Sequence, residues 1–473
     1  MVVRNLRIAL VTSAIGHDQG VFLAHAFGAR YDLPIPLALF VAGGAAVVLV
    51  SFLFVLGRPA REPVAADPPP NVPGGHGWAA VGLAVTAALA VAGFTGSQEV
   101  PANILPTAFW LIAWIAVPLS CGIAGDWTRP VNPFAALARI AGTARIRRLV
   151  LGTERPLGWP DRIGWWPAAA LFAALACAEL VFSQTATLPR VIATGILLYS
   201  LVSAFAGILF GPVWIARGEV FSVLFATWGR LGWFRFGTAG RRGFTGGLTA
   251  GFDASPSRIA FVLLLLVSVN FDGLLATPQW ARIEGQLAGQ HPEALRLATF
   301  AALTVVTCAV FGAFALAAAR AGRHGTGFTA ALAGLLPSML PIAFGYLLAH
   351  NLQYVLVNAQ LLAPLLGNPV GDPGWPLHLP YPFDGRFEPD PSILPSAFFW
   401  YASVLVIVVA HVVAVVLAHR HLVTAAPAAR AARSSEYPWL VAMVAYTMAS
   451  LVLIAQPLAT DDSGHAAEAV TGR

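Results

Sequence analysis

A run without Asp, Glu, Lys or Arg occupies residues 328–366 and reads FTAALAGLLPSMLPIAFGYLLAHNLQYVLVNAQLLAPLL. A helix of about 20 mainly apolar residues crosses the roughly 30 Å hydrocarbon core of a bilayer. Residues 328–350 therefore predict one membrane-spanning helix, and the apolar residues that follow are too many for the same straight crossing. Tyr346, His350, Tyr354 and Asn358 recur every four residues and so share one helical face. We predict that the helix bends near His350 and returns over the outer face, with these polar groups toward a cavity.

Nine further runs have the same apolar character and length. Barrel strands are shorter and alternate in polarity, and backbone groups in lipid must be paired within their own segment, so the runs are expected to be helices. The sequence therefore predicts an all-α fold, a polytopic bundle of about ten transmembrane helices with an N-terminal anchor and interfacial helices in addition. The predicted spans are 37–57, 78–95, 104–125, 165–184, 189–214, 258–276, 296–319, 328–350, 396–418 and 438–458.

Composition and charge agree with a protein that resides in the lipid bilayer. Hydrophobic residues make up 58% of the chain and charged residues only 11%, whereas soluble domains carry about 25% charged residues. All 28 basic side chains are arginines, and 20 of them fall in alternate segments between the spans, against six in the opposite ones. This bias predicts that the arginine-rich segments are cytoplasmic and that the C-terminus is outside. It also explains the net charge of +6 without nucleic acid as a partner.

The chain divides into three parts by pattern. Residues 1–36 contain a short apolar run after two arginines, which is typical of an uncleaved anchor, a re-entrant piece or a cleaved signal. Residues 37–458 form the transmembrane domain, and 459–473 form a C-terminal tail. Within the cytoplasmic loops we expect interfacial helices at 135–146 and 218–235.

Ionisable residues inside or beside the spans are candidate functional groups, because they are costly in lipid. Several are expected to meet near the outer face. They are His17, Asp18, His25, Asp32, Glu179, Asp272 and His350, and the neutral polar residue Gln353 is expected to join them. Histidines and carboxylates are ligands for divalent metals, although they can equally serve as structural pairs or interfacial groups. His411, toward the inner half of its span, is expected to be a structural contact between helices. The three cysteines lie in apolar runs and offer neither a disulfide framework nor a metal-binding pair.

Several segments together resemble the bacterial integral membrane proteins known as fenitrothion hydrolases. The resemblance covers most of the chain and is carried by residues 25–36, 126–134, 218–221, 271–280 and 350–375. It implies a bacterial cytoplasmic (inner) membrane location and hydrolysis of an apolar phosphotriester-like substrate that partitions into the membrane. From charge and position, we expect His25, Glu179, Asp272 and His350 to bind a divalent metal, zinc or similar. Tyr354 or Gln353 would orient the substrate.

Two other functions stay open on the sequence. Ten helices with a few embedded acids are also typical of a transporter or permease for a metal, a proton or a small lipophilic solute. The arginine-rich loops could instead bind a partner subunit, in which case the ionisable residues at the outer end would be dispensable.

Overall fold

The computed structural model describes residues 37–55, 76–236, 243–249 and 251–459, and this part of the chain contains helices and no β-strand. Each predicted span has a helix in its place. They are α1 (Leu37–Val55), α2 (His76–Thr95), α3 (Ile104–Ala124), α4 (Trp166–Leu180), α5 (Pro189–Phe210), α6 (Pro256–Leu275), α7 (Pro292–Ala321), α8 (Phe328–Asn358), α9 (Ser396–Ala425) and α10 (Ala429–Ala459). The prediction of an all-α polytopic bundle is confirmed.

Eight of these helices are long and apolar enough to cross a membrane, and the chain is an integral membrane protein. The exceptions in the described part are α1 and α4, whose apolar segments are shorter. The 15 residues of α4 extend only about 22 Å at 1.5 Å per residue. Residues 1–36 and those beyond Ala459 lie outside the described residues, so the three-part division stays a prediction.

Helix α8 is the central element, since it packs against α6, α7 and α9 and most of its surface is buried. It is continuous to Asn358, and the chain turns only at the 3₁₀ segment Ala359–Leu361 before a short helix, Leu362–Gly367. The predicted bend near His350 is therefore wrong. Residues 346–358 contain neither glycine nor proline, so nothing in them interrupts the helical hydrogen bonds.

Helix α3 contains a wide π-helical segment, Thr107–Ala116. At its end the amide of Val117 donates to the carbonyl oxygen of Ile112, five residues earlier. Pro118 follows, and a proline inside a helix lacks an amide proton and collides with the carbonyl four residues before it. The wider turn avoids that collision, and it changes the direction in which Trp114 points relative to a regular helix.

The arginine-rich segments contain short helices whose burial differs from the prediction. The helix Val220–Trp228 is buried along nearly its whole length, so the prediction that 218–235 lies in the membrane interface is wrong. The helix packs inside the protein against α3 and α4. The segment predicted at 135–146 is two helices, Pro133–Ala141 and Ala144–Leu151, which are separated at Gly142.

Candidate functional site

Helices α4, α6 and α8 bring together three of the predicted site residues, Glu179, Asp272 and His350. The Nε2 atom of His350 lies 2.8 Å from Oδ2 of Asp272. Glu179 is close enough to interact electrostatically with both partners. We call these three residues the acid–histidine centre. It lies near the C-terminal ends of α4 and α6, the end that the arginine counts predict to be outer.

Glu179 is held by a residue that the sequence analysis did not identify. The indole Nε1 of Trp114 donates a hydrogen bond of 2.6 Å to Oε2 of Glu179. The Trp114 ring also stacks on Phe172 of α4, with ring centroids 5.5 Å apart. A tryptophan within an apolar run gives no sequence signal that it binds a carboxylate. Pro118, four residues later, does indicate the local irregularity of α3 that directs Trp114 toward Glu179.

Next to the acid–histidine centre, the face of α8 that carries His350 also carries an aromatic residue, Tyr346. The rings of Tyr346 and His350 stack with centroids 6.0 Å apart. The Tyr346 hydroxyl is buried, without a hydrogen-bond partner among the described residues. It lies against Gly273 of α6, where a Cβ atom would come within 2.0 Å of the hydroxyl oxygen. Glycine at this position is therefore what allows α6 and α8 to approach at the level of the centre.

The two residues predicted to orient a substrate differ in their surroundings. Tyr354, on the same face of α8, interacts electrostatically with Glu179 and Asp272 and packs partly buried against the hydrophobic core. Gln353 is half-buried and forms no hydrogen bond with another described residue. Of the two residues, Tyr354 is therefore the one that lies near the acid–histidine centre.

The predicted metal ligands are only partly represented in the described part of the chain. His25, together with His17, Asp18 and Asp32, lies outside the described residues. Among the described residues no group of three or more His, Cys, Asp and Glu side chains is arranged to hold a metal ion. The Nε2 atom of His350 faces Asp272 instead, as in pairs where a carboxylate orients an imidazole. The described donor set alone does not fit a metal, and we derive no step through one.

A second buried polar cluster lies at the opposite, arginine-rich end, around Glu219. This carboxylate is fully buried and accepts hydrogen bonds from Asn132, Tyr199 and the backbone amides of Phe221 and Ser222. Asn132 in turn caps the helix Pro133–Ala141. Burial lowers the pKa of Arg139, and the nearby Glu219 opposes that shift. Because these contacts hold the first turns of two helices and join them to α5, we assign this cluster a structural role.

Known proteins provide no further guide to the site: no protein-family model, no curated protein and no solved structure matches the chain.

Proposed function

We propose that the chain is a membrane-embedded hydrolase that acts on an apolar, phosphotriester-like substrate at its outer-facing end. The observation that supports this best is the contact between His350 and Asp272. A histidine oriented by a carboxylate is an effective acceptor and donor of protons near neutral pH. A second carboxylate, Glu179, lies beside the pair. The substrate class follows from the resemblance to fenitrothion hydrolases and from the apolar surroundings.

In the proposed reaction, a water molecule attacks the phosphorus atom of the substrate. His350 accepts the proton that this water loses, and Asp272 stabilises the resulting imidazolium. The P–O bond to the aryl group breaks, and the aryl oxide leaves with the electron pair of that bond. It takes up the proton of the imidazolium and becomes the phenol, which returns His350 to its neutral form. A divalent metal bound by Glu179, Asp272 and His350, with His25 as an additional ligand, stays a prediction, and no step of this reaction depends on it.

Access from one side favours a hydrolase over a transporter. The side chains of His350 and Asp272 are 15% and 27% exposed, so the centre is partly open at this end. Toward the opposite end, α8 presents a mainly apolar buried segment, in which Leu332, Leu335, Leu336, Met339 and Leu340 are each at most 2% exposed. A transporter needs polar access from both sides in turn, and these residues offer none in the described conformation.

Proton-coupled transport is the second candidate function, because the carboxylates of Glu179 and Asp272 belong to apolar helices. Embedded acids are the usual proton carriers of transporters. A proton flux into liposomes that is abolished by Asp272→Asn, without any hydrolysis, would favour this candidate over the hydrolase.

The direct test is release of nitrophenol from a nitrophenyl phosphotriester by the full chain in lipid nanodiscs, purified without chelator. We expect His350→Gln and Asp272→Asn to lower the rate about 100-fold or more. His378→Gln, which alters an exposed loop histidine, should leave it unchanged. Elemental analysis of the same samples tests the metal: a stoichiometric ion lost in a Glu179→Ala/Asp272→Ala/His350→Ala variant supports it. Absence of hydrolysis by the wild type would overturn the proposal.

A further inference from the structure

The helix Ala144–Leu151, which we call the arginine helix, is attached to the end of a membrane-spanning helix by one buried guanidinium. Arg147 is only 5% exposed. Its Nε donates to the carbonyl oxygen of Ile208, 2.8 Å away, and its Nη2 donates to that of Gly142, 2.6 Å away. Ile208 belongs to the last turn of α5, where carbonyl groups have no partner within the helix. The arginine helix therefore lies at the level where α5 ends.

Helix α5 borders lipid along one side. It is long and apolar enough to cross the membrane, and five of its large apolar side chains are about half exposed. They are Leu197, Leu198, Leu201, Val202 and Phe205. Their spacing places them together on one side of the helix, and in a spanning helix such a side meets acyl chains. The arginine helix is thus attached to a span at the edge of the bundle, where the bilayer surface meets the protein.

The arginine helix has an apolar flank and a basic flank. At 3.6 residues per turn, one flank carries Ile146, Leu149 and Val150. The other flank carries Arg145 and Arg148, which are both exposed. Leu149 is 86% exposed and Val150 is 51% exposed, which is unfavourable in water. Exposed apolar residues on one flank and arginines on the other are typical of a helix that lies in the membrane interface.

The charge around this helix is strongly positive. Residues 144–156 contain four arginines and a single acidic residue, Glu154. Glu154 pairs with Arg148, but both side chains are more than half exposed, and an exposed ion pair contributes little to stability. Arg148 can therefore exchange this carboxylate for another anion at small cost.

We propose that the arginine helix binds an anionic phospholipid at the bilayer surface. Leu149 and Val150 enter between the acyl chains, and Arg145 and Arg148 bind the phosphate group of the lipid. A guanidinium forms paired hydrogen bonds with phosphate oxygens, and arginines beside a membrane favour lipids with a net negative charge. The site is independent of the proposed hydrolysis, because it lies at the opposite end of the bundle from the acid–histidine centre.

The test is fluorescence quenching of the full chain, carrying Leu149→Cys labelled with bimane, in lipid nanodiscs. Because Leu149 is so exposed, the label displaces little packing. The nanodiscs are phosphatidylcholine with increasing fractions of phosphatidylglycerol or phosphatidylcholine that is dibrominated on an acyl chain. We expect both brominated lipids to quench the label. Half-maximal quenching should need about fivefold less of the anionic lipid, the factor that corresponds to one arginine near a charged membrane surface.

Two double variants of the labelled chain identify the groups that bind the phosphate. Arg145→Gln/Arg148→Gln should remove the preference for phosphatidylglycerol and leave quenching by both lipids. Arg190→Gln/Arg282→Gln is the matched control, because it removes two exposed arginines at the other end of the bundle; it should keep the preference. The chain without Leu149→Cys, treated in the same way, measures labelling of the three native cysteines, which are buried or half-buried.

Three outcomes would overturn the proposal. Absence of quenching by both lipids would mean that the arginine helix lies in water. Equal quenching by the two lipids would mean that the helix enters the bilayer without selecting an anionic headgroup. A preference that survives in Arg145→Gln/Arg148→Gln would mean that other groups bind the phosphate. The comparison of the two lipids needs only Leu149→Cys, so it does not depend on whether the double variants fold.

Discussion

The phenol of Tyr346 and the backbone of Gly273 set the spacing of α6 and α8 at the acid–histidine centre. The hydroxyl occupies the space of a Cβ atom, and its ring stacks on His350. A larger side chain at position 273 must therefore displace the residue that packs against the proposed proton acceptor. At this position the packing and the proposed chemistry depend on the same contact.

Gly273→Ala is expected to destabilise the protein by about 1–3 kcal/mol, the usual cost of overpacking. Thermal unfolding in mild detergent is the measurement. Gly285→Ala, in the short helix Pro278–Leu287, is the matched control, because a Cβ atom there meets nothing within 4 Å. This substitution should be neutral or slightly stabilising. Adding Tyr346→Phe should restore the stability of Gly273→Ala, since it removes the colliding hydroxyl. Failure of this rescue would show that the hydroxyl is not the obstacle.

The hydrogen bond from Trp114 to Glu179 is short and its acceptor is a carboxylic side chain. A double-mutant cycle of Trp114→Phe and Glu179→Leu, each of which removes one partner, measures it through the free energy of unfolding. We expect a coupling of about 1–2 kcal/mol, given the values for hydrogen bonds in proteins and in membrane helices. Additive effects of the two substitutions would contradict the contact. Trp166→Phe, at an exposed tryptophan of α4, is the control.

At the scale of helices, Glu219 joins elements that are distant in sequence. It caps Val220–Trp228 and accepts hydrogen bonds from Asn132 and from Tyr199 of α5. We expect Glu219→Gln to lower the free energy of unfolding by about 2–4 kcal/mol, because the amide places a donor against these donors. Glu99→Gln is the control, since Glu99 is exposed and makes no cap hydrogen bond. Equal stability of the two variants would contradict the structural role of Glu219.

The helices were predictable because each span is a long apolar segment, and apolar length is what a bilayer requires. His350 and Asp272 were identifiable because an ionisable group is rare within such a segment. Trp114 was not identifiable, because the sequence does not distinguish a tryptophan that faces lipid from one in the protein interior. The helix Val220–Trp228 was misjudged for a related reason: aromatic residues at helical spacing suit the membrane interface and the protein interior equally well.

For the whole molecule, the distribution of arginines predicts the direction in which the bundle crosses the membrane. The acid–histidine centre lies beside the ends of α4 and α6 that precede arginine-poor segments, and the Glu219 cluster lies at the other end. If the arginine-rich segments face the cytoplasm, then the centre opens outward. The proposed substrate would then reach it from outside or from the outer leaflet.

Cysteine labelling in intact cells tests this orientation. Asp384→Cys lies in the exposed loop after α8, and Ser434→Cys lies near the start of α10. A membrane-impermeant maleimide should label position 384 in intact cells, whereas position 434 should react only after the membrane is opened. The wild type is the background control, because Cys121 is buried and Cys177 and Cys308 lie within apolar helices. Labelling of position 434 but not of position 384 in intact cells would mean that the centre faces the cytoplasm. The substrate would then have to come from inside the cell.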